Sequence, residues 1–246
     1  MIKTLNDFEI SLIKKFESHP LFIQIDEISW QYFLAILIQR RFFSLSIVNL
    51  YEFVIDALTD KDIKHTVRSI LNEEFPRNTK GIPLLSHREL LFQDLLNLGA
   101  TSEMILTTPE TPTTQKVRNE SYEKLLNCLG HKYDQVGLVA FLRFWAEVLV
   151  SIEYSCLWKR ISERISNEES SDKIRSEFYY FHMIHDKRNS HVGEESILGG
   201  LTHSQELAIH LKRLISSEEA LVYCLNLQEN AYQLKCEFYN QFINIG

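Results

Sequence analysis

Residues 134–165 read DQVGLVAFLRFWAEVLVSIEYSCLWKRISERI, a run that is apolar on nearly every side through its first half at helical spacing. A surface helix carries one apolar stripe, so a stretch like this belongs at the centre of a bundle. Outward from it, apolar residues recur at three- and four-residue spacing almost throughout, and no segment shows sustained alternation broken by turn signals. The 246 residues include only 8 glycines and 5 prolines, roughly half of average usage, which favours long helices joined by few turns. The spacing predicts helices over 5–19, 27–57, 61–75, 87–99, 119–131, 134–165, 171–197, 203–215 and 217–243. Pro76 to Pro83 reads as a loop, and Thr107 to Thr114, with Pro109 and Pro112, as an exposed insertion. No Pro/Gly/Ser linker and no internal repeat divides the chain, so the expectation is all-α: one up-and-down helical bundle over residues 1–246.

Composition narrows function by exclusion. The net charge is -7 and basic residues come no denser than pairs such as Lys14-Lys15, which gives no electrostatic footprint for nucleic acid or an anionic membrane. The longest continuous apolar stretch, Val136 to Leu142, falls short of the roughly 18 residues of a membrane helix. Asp7 and Glu9 interrupt any secretory apolar region, so a cytoplasmic protein is expected. Cys128, Cys156, Cys224 and Cys236 form no CxxC and no zinc-type pairing and read as buried thiols. There is no GxGxxG, no GxxxxGK[ST] and no GxSxG, which removes support for glycine-cradled phosphates and elbow-serine hydrolysis.

What remains is carboxylates and histidines set in apolar helices. Glu74 follows Val67, Ile70 and Leu71 and so extends a buried stripe, whereas Glu73 trails Thr66 and Ser69. An ionised carboxylate on that stripe is costly alone; a metal ion, or an inter-helix arginine such as Arg40 or Arg41, meets the need. Ser86-His87-Arg88-Glu89 is a capping box that puts His87 in a first helical turn. Glu147 shares its face with Val136, Ala140, Ser151 and Tyr154, groups small or polar enough to leave room for a ligand. Glu153 shares its face with Leu142, Leu149, Cys156 and Arg160, where a tethered ion pair accounts for it. Residues 178–195 read FYYFHMIHDKRNSHVGEE. His182, Asp186 and Asn189 lie within about 60° of one another, and His191 about 180° from His182. His185 and His191 join that face only through a distortion such as a π-bulge. Equally, the histidines beside Lys187 and Arg188 can form a polar face on an exposed helix. Tyr179 and Tyr180 are candidates to line a pocket or relay an electron, or to be core aromatics.

The succession ILNEEFP, SHRELLFQDLLNLGA, a buried helical Glu and FHMIHDKRNSH resembles the heme-oxygenase-like diiron oxidases and oxygenases of the CADD-like superfamily over about residues 25–200. Pyrroloquinoline-quinone synthase C and the thiaminase-II-type proteins are more distant relatives. The resemblance implies a heme-oxygenase-like bundle holding two iron ions, or one, with manganese as the alternative, O2 as co-substrate and a small organic substrate. It implies metal ligation by Glu74, His87, Glu147 (or Glu153), His182 and Asp186. The last position of its HxxxDxxH pattern is Asn189 here, with His191 two residues on. The alternatives are a cofactor-independent oxidase like the quinone synthases, and a binding bundle that has lost part of the metal site. The nucleophilic cysteine of the thiaminase-type relatives would fall to Cys224 or Cys236 without the neighbouring motif residues. A homodimer is the assembly expected.

Overall fold

The structure, a computed structural model, describes residues 1–79, 82–166, 174–187 and 202–243. In chain order the elements are α1 (Ile2–Glu17), α2 (Pro20–Ile23), α3 (Trp30–Ala57), α4 (Lys61–Leu71), β1 (Arg77–Thr79), β2 (Ile82–Leu84), α5 (His87–Asn97), α6 (Ser102–Thr107), α7 (Pro112–Leu126), α8 (Asp134–Leu142), α9 (Leu149–Ile161), α10 (Tyr179–Lys187), α11 (His203–Leu214) and α12 (Glu218–Asn240). The expected all-α bundle is the observed architecture. α8 and α9 are one rod, joined by a π-helical segment, Arg143–Val148, in which Leu149 N–H bonds the Phe144 carbonyl five residues back. This rod is the central helix: α12 packs on α8 and on the π segment, α10 packs on α9, and α1 packs on α9 and α12.

Start signals act where the sequence put them. The Ser86 and Glu89 box is closed in both directions at the head of α5, and Ser217 caps α12. A second box, Thr202 with Gln205, opens α11. Three expectations change. The Pro76–Pro83 loop is a short antiparallel ribbon pairing Arg77 with Leu84. The Thr107–Thr114 insertion shrinks to a four-residue connection, 108–111, because Thr111 caps α7 and Pro112 sits at its first position, where a missing N–H costs nothing. And α3 and the α8–α9 rod are each long and apolar enough to cross a membrane; the most apolar window of the rod is 83% buried inside the bundle, the signature of a core helix.

Close approach of α8 and α12 depends on Gly137, where an added Cβ would lie 2.8 Å from Cys128 Sγ, 2.8 Å from Tyr223 Cε1 and 2.9 Å from Leu227 Cδ1. A glycine inside a helix normally costs about 1 kcal/mol relative to alanine. Here overpacking, at about 1–3 kcal/mol, outweighs that gain. Gly137→Ala is therefore expected to lower the thermal midpoint by a few degrees, measured by calorimetry, whereas a rise would show that the α8–α12 contact has slack.

Candidate metal centre

α4 ends where Pro76 forces its predecessor out of helical geometry: Phe75 is extended, and the chain tightens into a 3-10 turn, Asn72–Glu74, just before it. That turn places Glu73 and Glu74 together on the wall of one cavity, so Glu73 faces inward too, contrary to the helical register. After the ribbon, the capping box fixes His87 at the first position of α5. Its Nδ1 stands 3.1 Å from Glu74 Oε1, and both side chains are largely buried.

The third member comes from α10. His182 packs its ring 4.7 Å from that of His87, and its Nδ1 lies 2.8 Å from the Phe178 carbonyl oxygen. In the neutral ring that bond requires Nδ1–H and leaves the lone pair on Nε2, the arrangement that metal-ligating histidines use. The ligand atoms of Glu74, His87 and His182 all lie within 4.8 Å of one another. α10 itself is held by Asp94 of α5, a buried carboxylate that accepts from Ser176 Oγ at 2.7 Å and from the backbone N–H groups of Phe178 and Tyr179 at 3.0 and 3.3 Å. Burial pushes Asp94 above the usual carboxylate range, and these donors only partly offset it.

Two small adjoining cavities share Ile47, Glu74, His87, Ala146 and His182 as walls. The smaller one is also bordered by Glu147, which accepts a hydrogen bond from Tyr51, and by His203. His203 bridges two acids, with Nε2 3.2 Å from Glu73 and Nδ1 3.6 Å from Glu147. Burial works against its charge, but Glu147 and Glu73 more than compensate and raise its pKa to about 11. Arg143 Nε donates to the Ser204 carbonyl at 2.8 Å, which steadies the first turn of α11 beside His203.

The larger cavity is bordered by Arg40, Phe43, Ser44, Trp145, Tyr154 and Lys235. Glu153 is not with the histidines. It is fully buried between Arg40 Nε at 2.8 Å and Lys235 Nζ at 2.9 Å, and it accepts from Tyr239. The resemblance's alternate ligand is thus tied up by cations, and the arginine once available for Glu74 is spent on Glu153. Tyr179 is buried against Tyr154 and borders neither cavity, and Tyr180 packs on Trp158. The tyrosines that do reach the cavities are Tyr154 and Tyr51. Asn189 and His191, with the side chains of His185 and Asp186, lie outside the described residues. Among the described residues a π segment occurs in the rod, around Glu147; the stretch in which a distortion would bring His191 round lies outside them. No cysteine borders either cavity, and burial pushes all four thiols up, Cys156 to about 12 and Cys236 to about 11. None is poised as a nucleophile.

Among solved structures, a TenA family transcription regulator from a Silicibacter species superimposes on this chain with a TM-score of 0.61 at 13% identity, covering 100% of this chain and 97% of that one. At that identity the likeness establishes the fold, the heme-oxygenase-like all-α bundle. No protein-family model and no curated protein matches the sequence.

Two expectations test the site's supports. Asp94→Ala removes the acceptor for the start of α10 and is expected to cost about 1–3 kcal/mol in denaturant unfolding, with His182 losing its place; an unchanged midpoint would show that Asp94 does not organise α10. Lys235 is held down to about 8, first by burial and also by Arg40, against the pull of Glu153. Its ordinary value is 10.5, so between about pH 8 and 10.5 the unfolded chain binds the extra proton and stability gains from rising pH. Lys235→Met should therefore be more stable than the parent at pH 7, with the gap closing as pH climbs through 8 towards 10; a gap that is constant or reversed contradicts this.

Proposed function

We propose that this protein is a non-heme iron oxidase or oxygenase acting with O2 on a small organic molecule, with the metal held by Glu74, His87 and His182. The observation that carries the reading is the donor set itself: two imidazoles and one carboxylate with space beside them is the combination that suits Fe(II) with open coordination positions. When bound there, iron would supply redox chemistry with O2 that no side chain here can perform; manganese shares the donor preference and is the alternative occupant.

The chain's own residues do the rest. Glu74 provides the negative charge and the two rings provide nitrogen donors, His182 with its tautomer set by the Phe178 carbonyl and His87 with its place on the chain set by the capping box. Phe43, Trp145, Tyr154 and Phe178 line the adjoining cavity and keep it dry around a substrate. Glu147 borders the same space and is the described acid closest in role to a ligand for a second iron, with His203 lying between it and Glu73, outside the converging trio. The described donors therefore support one iron per chain, and Asp186, Asn189 and His191 are the residues on which a second would depend.

Anaerobic reconstitution with Fe(II) followed by elemental analysis tests this. One iron or more per chain is expected, with Glu74→Ala and His182→Ala each weakening retention by about 10–100-fold or more. Sub-stoichiometric metal that is indifferent to both substitutions would overturn the assignment. Turnover that survives strong chelation would instead identify a cofactor-independent oxidase.

A further inference from the structure

We propose that Arg40 and Lys235 form the anion subsite of the larger cavity, so that the molecule it takes is a small organic monocarboxylate. Calling that molecule the substrate rests on the iron centre proposed above; the subsite itself stands on charge balance.

Arg40, Glu153 and Lys235 are 4%, 0% and 1% exposed. Glu153 is the one carboxylate paired with either cation among the described residues, and both cations crowd its Oε2. Two positive charges against one negative leave a surplus of one, out of water. Ions buried without full compensation carry penalties of several kcal/mol, so a cluster built only for stability would balance. Among the described residues the fully buried Arg143–Glu9 pair does: it is matched one for one, at 2.5 Å, and borders neither cavity. Arg40 and Lys235 both border the larger cavity.

Local packing softens the surplus without cancelling it. Lys235 Nζ lies 4.7 Å from the Trp145 ring centroid, and the Arg40 guanidinium 5.0 Å from that of Tyr154, contacts worth about 0.5–2 kcal/mol each. Arg40 Nη1 donates to Ser44 at 3.0 Å. Lys235 spends one N–H on Glu153 at 2.9 Å, and its other two have no protein acceptor among the described residues. A carboxylate in the cavity supplies the missing acceptor and the missing charge together.

The surplus also sets the ligand's valence. A monoanion brings the Arg40–Glu153–Lys235 cluster to neutrality and a dianion overshoots it; Glu74, on the same cavity wall, is the acid assigned to the metal ion proposed above. Phe43, Trp145, Val150 and Phe178 offer the ligand's body an apolar wall, and the same cavity is walled by Glu74, His87 and His182. Arg88, exposed at the rim, is screened by solvent and attracts anions without discriminating among them.

Titration calorimetry on the full chain, stripped of metal by chelation, tests the subsite with acetate, benzoate and 3-phenylpropanoate, each against its primary amide. At least one acid is expected to bind about tenfold or more tighter than its amide at pH 7. Lys235→Met should abolish that preference while remaining folded, and Arg88→Ala should change it by less than about threefold. If Lys235→Met does not fold, Lys235→Gln keeps a hydrogen bond to Glu153 and faces the same requirement. Acids that bind no tighter than amides, or a preference that survives loss of the Lys235 charge, overturn the proposal. Glu74→Ala keeps the two readings apart: if it abolishes iron binding and leaves the acid preference intact, the subsite stands by itself, and if iron is retained in the parent while no acid is preferred, only the subsite falls.

Discussion

A single guanidinium holds this bundle to its shape. Arg143 lies inside the core with no exposure, where it pairs with Glu9 of α1 and bonds the Ser204 carbonyl of α11; Gln228 of α12 completes the group by donating to Glu9 at 2.6 Å. Four elements distant in sequence thus meet around one ion pair. Such a pair contributes little net stability against an apolar equivalent, but deleting one partner strands a charge at a cost of about 3–5 kcal/mol. What it supplies is registration: α1, α11 and α12 can seat on the central rod in one way only. Because Arg143 opens the π segment that carries Glu147, and grips the backbone next to His203, the same contact sets how the Glu147–His203–Glu73 bridge is arranged.

The trio depends on a second layer of supports of a different kind. Glu74 is aimed by a turn that a proline terminates, His87 by a reciprocal cap, and His182 by its own helix backbone, which Asp94 anchors. None of these supports is apolar, and all but the Asp94 anchor are local in sequence. Held this way, donors do not need to reorganise when a cation arrives, and pre-organisation of this sort is what lets a site be selective.

Much of this was legible in the residues. Helical periodicity, scarce glycine and proline, and the Ser86–Glu89 box give the bundle and the placement of His87, since these signals are local. Glu74 was readable as inward from its stripe. The failures are non-local. Glu73 looks outward on a helical count because the count ignores the turn that Pro76 imposes. His203 and Tyr51 carry no motif; each acquires meaning only when α11 and α3 fold against the rod, although Thr202 and Gln205 mark the start of α11 in plain view. Asp94, within LLFQDLLN, looks like an ordinary surface acid, and so does Glu9. Glu153 was open to either a metal or a salt bridge, and Lys235, 82 residues further along, decides it.

The π segment has a consequence for comparing this chain with others. A helix that fits one additional residue into a turn displaces everything after it by one place, a rotation of about 100°. Any alignment that threads a straight α-helix through 134–161 will therefore set every residue after the segment, Glu153 among them, one place out of register with its true counterpart. Homologues should be superposed separately on each side of Arg143–Val148 before their acidic positions are equated, with a one-residue gap opened inside the helix where sequence alone gives no reason to place it.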